Sequence, residues 1–435
     1  MFRLIIGIVI AWAAAGSSAA QPENSIERLT AAPAVDALMT RIKQADLETL
    51  REQREIAEIP APPFKEQARA ADFLRRLKEL GLASAGIDGE GNVIALRQGT
   101  RSGRAPTLVL SAHLDTVFPE GTDVTVTERD GRLYGRGLAD DSRGLAVLLT
   151  IARLLEQDKL RTVGDIMFVG TVGEEGAGNL RGVRALMADN PQIDAFISVD
   201  GIDLVAIVNA GTAVRRWRVT FKGPGGHSFV NFGRPSAVHA MGRAIAMIGD
   251  LRPPSNPRTT FTVGVANGGT SVNAIAAEAA IEIDIRSNGA AELRAFEVQV
   301  MAAIDAAAAA EGDRWGAPPI TVGRQLVGDR PGGVTAATSP IVRASLAAAR
   351  ATGGPTPFLI ESGTDSNLPI SVGVPAVTLP GGGEGGNYHS PDEWYRNVDA
   401  WRGVQRVALT ALGLVGLDGT SEPILEKRAP AGTSR

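Results

Sequence analysis

Short apolar, strand-like runs that alternate with helical segments constrain this chain more than any other feature. Asn92–Arg97, Thr107–Ser111, Asp165–Thr171 and Ala195–Val199 read as strands, with helices at Arg143–Leu155 and near Val183–Ala188 between them. Buried strands interleaved with helices predict an α/β sheet covered on both faces. A helical stretch from Ala34 to about Leu80, broken at Pro60, Pro62 and Pro63 and stopped at Gly81, precedes them. The style changes after Ala210. Strands at Val214–Lys222, Thr259–Val265, Ala279–Arg286 and Ile320–Gln325, with helices at Ala237–Ile248 and Glu292–Ala310, follow a β-α-β-β-α-β order, the split ferredoxin-like unit. From Val327 the first style resumes, with a helix at Pro340–Ala351, strands at Phe358–Glu361 and Ala376–Pro380, and a helix at Val398–Leu414. The expected architecture is a discontinuous α/β domain (21–210 and 327–420) carrying an inserted unit (211–326), with a loose tail at 421–435.

The first 20 residues read as an export signal: Arg3, the apolar run Leu4–Ala15, and small residues Ser18-Ala19-Ala20 at a cleavage site. An exported protein, periplasmic or secreted, is therefore expected, with no stable membrane insertion after cleavage; an uncleaved anchor is the alternative. The run is shorter than the ~20 residues that span a bilayer. The formal net charge of −4 comes without a basic stripe, which argues against nucleic acid as a partner. The chain has no cysteine, so any metal must be held by histidine and carboxylates.

Four histidines are present. His113 follows the strand TLVL in SAHLDTVF, and Asp115, two residues on, projects to the same side and is placed to hydrogen-bond its imidazole. GRGLADDSRG at 135–144 sets Asp140 and Asp141 side by side in a Gly-rich turn before a helix, where Asp141 also fits a helix cap. Glu174 and Glu175 follow the strand DIMFVGT, Asp200 ends AFISV, and His389 lies in GGGEGGNYHSPDEW. Singly, each has an ordinary structural explanation: a satisfied histidine, a solvated turn, a surface acidic pair. Collectively, His113, Asp140, Glu175, Asp200 and His389 fall at the carboxyl ends of strands or in the loops leaving them, and such ends converge on one crevice. Two histidines and three carboxylates suit two divalent ions sharing a carboxylate, with zinc favoured by the imidazoles.

SAHLDTV, GRGLADD, TVGEEG, SVDG, GGHS, GGTSVNAI, SGTDSNLP and YHSPDEW stand in one order along the chain. That series resembles a family of co-catalytic zinc exopeptidases and deacylases. The family comprises peptidase T, glutamate carboxypeptidase, acetylornithine deacetylase, succinyl-diaminopimelate desuccinylase and the aminoacylases. The resemblance runs from about Ala34 to Leu417. It implies a zinc-exopeptidase-like mixed sheet flanked by helices, with the ferredoxin-like insert as a lid and dimerisation domain. It implies further that His113 and Asp200 hold one metal, His389 and Glu175 the other, and that Asp140 bridges them. The metals are expected to be zinc, with cobalt or manganese as alternatives. By the same resemblance Asp115 orients His113, Glu174 is the general base, and the Asp140–Asp141 peptide is cis. His227 in KGPGGHSF reaches the other subunit of a homodimer to stabilise the oxyanion, and Asn273 assists. Arg286 grips a substrate carboxylate, with a strand-end salt bridge to Asp284 or Glu282 as its alternative, and Gly363 and Thr364 line the pocket. Asp at position 200, where some members carry Glu, leans toward peptidase T.

The expected activity is cleavage of an amide bond in a small peptide. Two alternatives are an N-acyl amino acid amidohydrolase and a non-catalytic metal- or peptide-binding relic. His239 is expected to be a packed or interface residue rather than a ligand, and Trp217 and Trp394 core or rim residues rather than stacking platforms.

Overall fold

The computed structural model describes residues 22–428. The expected signal segment 1–20 and the last seven residues of the tail lie outside that range.

The larger sheet has nine strands. Its order runs Gly86–Ile87, Val93–Arg97, Asp165–Thr171, Thr107–His113, Ala195–Val199, Ala376–Leu379, Ala206–Gly211, Gly333–Val334, with Phe358–Ser362 also paired to Ala206–Gly211. The four strands Asp165–Thr171, Thr107–His113, Ala195–Val199 and Ala376–Leu379 are mutually parallel, and Val93–Arg97 pairs antiparallel at one side. Every residue of the first three is buried. Side-chain alternation then divides them between two cores. Leu108, Leu110, Phe168 and Ile197 pack with the helices Ser142–Gln157, Pro340–Ala351 and Trp401–Val415. Val109, Met167, Val169 and Phe196 face Val183, Leu186 and Leu368 on the opposite side. Continuous apolar runs are what two covered faces require.

The insert is a four-stranded antiparallel sheet in the order Thr259–Gly268, Glu278–Ser287, Ala213–Lys222, Thr321–Arg330. Ala237–Gly249 and Ala290–Arg314 pack on it and share a separate apolar core containing Val219, Phe221, Ile281, Phe296 and Ile304. Its last strand continues past the expected boundary at Leu326 to Arg330. A bulge between Leu326 and Gly328 interrupts the register, and the break in alternation at that bulge hides the continuation in sequence.

Two further departures concern connections. Thr127–Arg129, Arg132–Tyr134, Glu384–Gly386 and Trp394–Arg396 form a small sheet whose three-residue strands are too short to show a period. Residues 421–428 pack instead of hanging loose. Leu425 is buried, the Ile424 N–H bonds the Gly413 carbonyl, and Lys427 pairs with Asp194 at 3.0 Å. Among the described residues no helix is long and apolar enough to cross a membrane.

Candidate active site

Four parallel strands end at one rim, and their last residues or the loops just beyond them carry the polar cluster. His113 is the final residue of its strand; Glu174, Asp200 and the Gly381–Gly383 loop follow the other three. The His113 backbone N–H donates to Asp141 Oδ2 at 3.0 Å, and Asp141 Oδ1 caps the next helix by accepting the Gly144 N–H at 3.0 Å. Asp141 is therefore a cap that also holds His113, and the Asp140–Asp141 peptide is cis. A Cβ at Gly144 would sit 2.2 Å from the Val199 carbonyl oxygen, so only glycine lets the helix start this close to the strand carrying Asp200.

His113 Nδ1 lies 3.0 Å from the Asp115 backbone carbonyl. A carbonyl only accepts, so Nδ1 donates to it, which leaves Nε2 to face Asp140 and, once deprotonated, to offer its lone pair to a cation. Nε2 stands 2.8 Å from Asp140 Oδ1, while the other Asp140 oxygen lies 3.1 Å from His389 Nε2. His389 Nε2 is also 2.9 Å from Glu175 Oε1. Beside a first group, His113–Glu174–Glu175, two triads result, His113–Asp140–Asp200 and Asp140–Glu175–His389, each of the three with donor atoms within 4.8 Å of one another. Asp140 belongs to both.

The electrostatics fit cations. Burial, then the neighbouring Asp140, pushes Asp200 up to about 7, and burial drives Glu174 well above the carboxylate range. Burial also disfavours ionised Asp140, but the two histidines overcome it and hold its carboxyl low. A dense set of carboxylates relieved only by imidazoles and an arginine is compensated by divalent charge. The nitrogen and oxygen donor set suits such ions.

Asp115 holds His113 through its backbone carbonyl, while its side chain does something other than expected. Its carboxylate is 3.7 Å from His113 Nδ1, too far for a hydrogen bond. It accepts instead the backbone N–H groups of Glu174 at 3.1 Å and Glu175 at 2.8 Å. The paired carboxylates are thus aimed from beneath, because the strands ending in His113 and Thr171 are neighbours in register.

Three residues at the site escaped sequence reasoning. Buried Glu393 accepts from Gly137 N and Ala139 N, each at 2.8 Å, and from Asp140 N at 3.4 Å. It thereby fixes the loop that carries Asp140. Burial pushes its carboxyl up to about 7 against the pull of those N–H groups. Its place in YHSPDEW, four residues after His389, was the available signal. Arg330 touches Glu174, with Nη1 3.2 Å from Oε1 and Nη2 on the backbone carbonyl. Arg216 lines the cavity between Asp284, at 2.9 Å, and the Gly176 carbonyl, at 2.9 Å. Nothing in the sequence distinguishes either arginine from an ordinary strand residue.

The cluster opens into a cavity of about 700 Å³ lined by residues of both units, among them Arg286, Gly363, Thr364 and Tyr388. Arg286 does make the alternative salt bridge, 2.8 Å to Asp284 Oδ1, while lining that cavity. Thr364 Oγ1 meets Thr378 Oγ1 at 2.7 Å. His227 and Asn273 are not part of the lining. They lie together on the insert, where Gly226–His227 pairs with Ala274–Ile275, and Phe229, Phe232 and Val272, close by in sequence, are exposed. His239 faces solvent and approaches Glu311 at 3.4 Å. Trp217 is bonded to Glu297 within the insert, and Trp394 lies under Arg132.

A family model described as peptidase family M20/M25/M40 matches residues 109–412. The YqjE protein of Bacillus subtilis is 27% identical over 351 residues, spanning 77% of this chain and 90% of that protein. The succinyl-diaminopimelate desuccinylase of Nitrosospira multiformis is 28% identical over 253 residues, 54% of this chain and 66% of the enzyme. Among solved structures, the aminopeptidase PepT of Bacillus cereus superposes with a TM-score of 0.69 at 24% identity, covering 84% of this chain and 97% of PepT.

Proposed function

Because the chain belongs to peptidase family M20/M25/M40, whose members are metal-dependent amide hydrolases, we propose that it acts as an exopeptidase on di- and tripeptides. The observation that carries the reading is the pair of triads sharing Asp140, with Glu174 beside them at the mouth of the cavity. His113 and Asp200 would hold one cation, Glu175 and His389 the other, with Asp140 between; zinc suits the donors best, cobalt or manganese next. Cations held there would lower the pKa of a nucleophilic water towards ~7 and polarise the scissile carbonyl. Glu174 takes the proton of the attacking water and returns it to the leaving amine. Arg286, with its planar fork, receives the substrate carboxylate, and Gly363 and Thr364 bound the pocket.

His227 and Asn273 are assigned to the oxyanion of a second copy's site. The support is their place outside the cavity of their own chain, close in sequence to exposed Phe229, Phe232 and Val272, apolar side chains suited to an interface. A homodimer through the insert follows. Export to the periplasm or medium is proposed from the first 20 residues alone.

The relatedness to desuccinylases favours a second reading, removal of an acyl group from an N-acyl amino acid by the same chemistry. Purified, metal-loaded protein incubated with di- and tripeptides beside N-acetyl and N-succinyl amino acids separates the two. Release of amino acids from peptides is expected; turnover of the acylated set alone would overturn the peptidase reading.

A further inference from the structure

The insert does more than roof the cavity. Its last strand, Thr321–Arg330, ends against the segment bearing the paired glutamates. The Asp329 N–H donates to Asn179 Oδ1 at 2.8 Å, and Arg184 Nη2 donates to the Asp329 carbonyl at 3.0 Å. On the neighbouring strand, Arg216 Nη1 donates to the Gly176 carbonyl at 2.9 Å. Arg330 completes the contact. It is 7% exposed, an extent of burial that an arginine rarely reaches without a partner. Nη1 lies 3.2 Å from Glu174 Oε1 and Nη2 bonds the Glu174 backbone carbonyl. One guanidinium thus fixes the main chain and the side chain of the same residue, with a separate nitrogen of its planar fork on each; a lysine ammonium has no such fixed fork. Only Oε1 is engaged; among the described residues Oε2 has no hydrogen bond and is the oxygen left to take a proton.

We infer that Arg330 is a positioning residue for Glu174, through which the insert sets the aim of the catalytic carboxylate. The inference rests on the assignment of Glu174 as general base. Arg330 bridges two units with separate apolar cores, so the arrangement of the insert and the geometry of the base are one variable. A substrate that seats the insert correctly also aims Glu174.

The test is a cycle of Arg330→Met, Glu174→Gln and the double variant in metal-loaded enzyme, followed by a sensitive end-point assay with metal analysis. Arg330→Met is expected to lower kcat by about 10²-fold, the scale of a misplaced catalytic group. KM should move less than about threefold and metal content not at all. In the Glu174→Gln background the same change should cost less than about threefold more, because its target is already gone. Arg330→Lys, which keeps the charge and one of the two contacts, should fall between wild type and Arg330→Met, and it serves if the methionine variant does not fold. An undiminished loss in the Glu174→Gln background, or a loss confined to KM, would overturn the inference, since Arg330 would then act on substrate directly. Unchanged kcat in both Arg330 variants would overturn it as well. Full turnover by Glu174→Gln would instead remove the assignment of Glu174 itself, whatever Arg330 does.

Discussion

The carboxylate of Asp115 accepts the backbone N–H of Glu175 at 2.8 Å. The loop after one strand thereby braces the loop after its neighbour, and the distance between His113 and the paired glutamates is set by main-chain geometry. Glu393 does the same for the Asp140 loop. Three buried carboxylates, Asp115, Asp141 and Glu393, support the donors in this way without belonging to either triad. Such support is what keeps a metal site within tight tolerances.

Shared use of Asp140 makes the two cation sites interdependent. Dialysis against a chelator should abolish turnover, and zinc, cobalt or manganese should restore it. Asp140→Asn should lower the content of both metals together, whereas Asp200→Asn should deplete one. Elemental analysis of the purified variants checks this; activity indifferent to chelators would contradict the metal-dependent mechanism.

Glu174 lies beside the triads but is held by Arg330. Glu174→Ala should therefore keep its metal and lose roughly 10²–10⁴-fold in kcat. Loss of metal instead would mean that Glu174 and Glu175 exchange roles.

Protons should compete with cations at His389. Hydrogen bonds that it donates to Asp140, then to Glu175, push its imidazole up to about 10 in the metal-free protein. Below that pH the ring is protonated and has no lone pair to offer. Metal uptake at neutral pH therefore releases a proton, and affinity rises as pH rises towards 10. Calorimetry in phosphate and in Tris should give binding enthalpies that differ by the buffers' ionisation enthalpies; identical values would count against the assignment.

The proposed exchange of His227 between subunits has a quantitative signature. Equal mixing of His227→Ala and Glu174→Ala proteins should, after random reassortment, restore about a quarter of the sites. Turnover that stays at the level of the separate variants, despite demonstrated subunit exchange, would place His227 elsewhere in the mechanism.

Arg69 is a stability element of the same wall. Fully buried, it donates to the carbonyls of Ile59 at 2.8 Å and Leu114 at 3.0 Å, and burial lowers its pKa to about 10. Arg69→Met would strand those carbonyls, at a cost of about 3 kcal/mol. Urea denaturation of the variant measures it, and a midpoint equal to wild type would show that water replaces the guanidinium.

What was legible in the sequence was chemical type joined to position. His113, Asp140, Glu175, Asp200 and His389 could be gathered because each follows an apolar strand or sits in a glycine-rich loop. The fold class was legible for a related reason, since two-sided burial writes itself as continuous apolar runs. Arg330 was not, because its meaning arises only where two units meet, and a strand-end arginine is otherwise unremarked. Adjacency in sequence points Asp115 to His113, which its backbone carbonyl does meet, while pairing between strands gives its carboxylate the N–H groups of Glu174 and Glu175. The extent of the last insert strand was lost at the bulge before Gly328.

His389 and the Asp140 carboxylate meet although they stand 249 positions apart in the chain. During synthesis, the second triad therefore cannot exist until nearly all of the polypeptide has left the ribosome. Any cation captured earlier would be held by an incomplete set of donors and readily lost. Maturation is thus a late event.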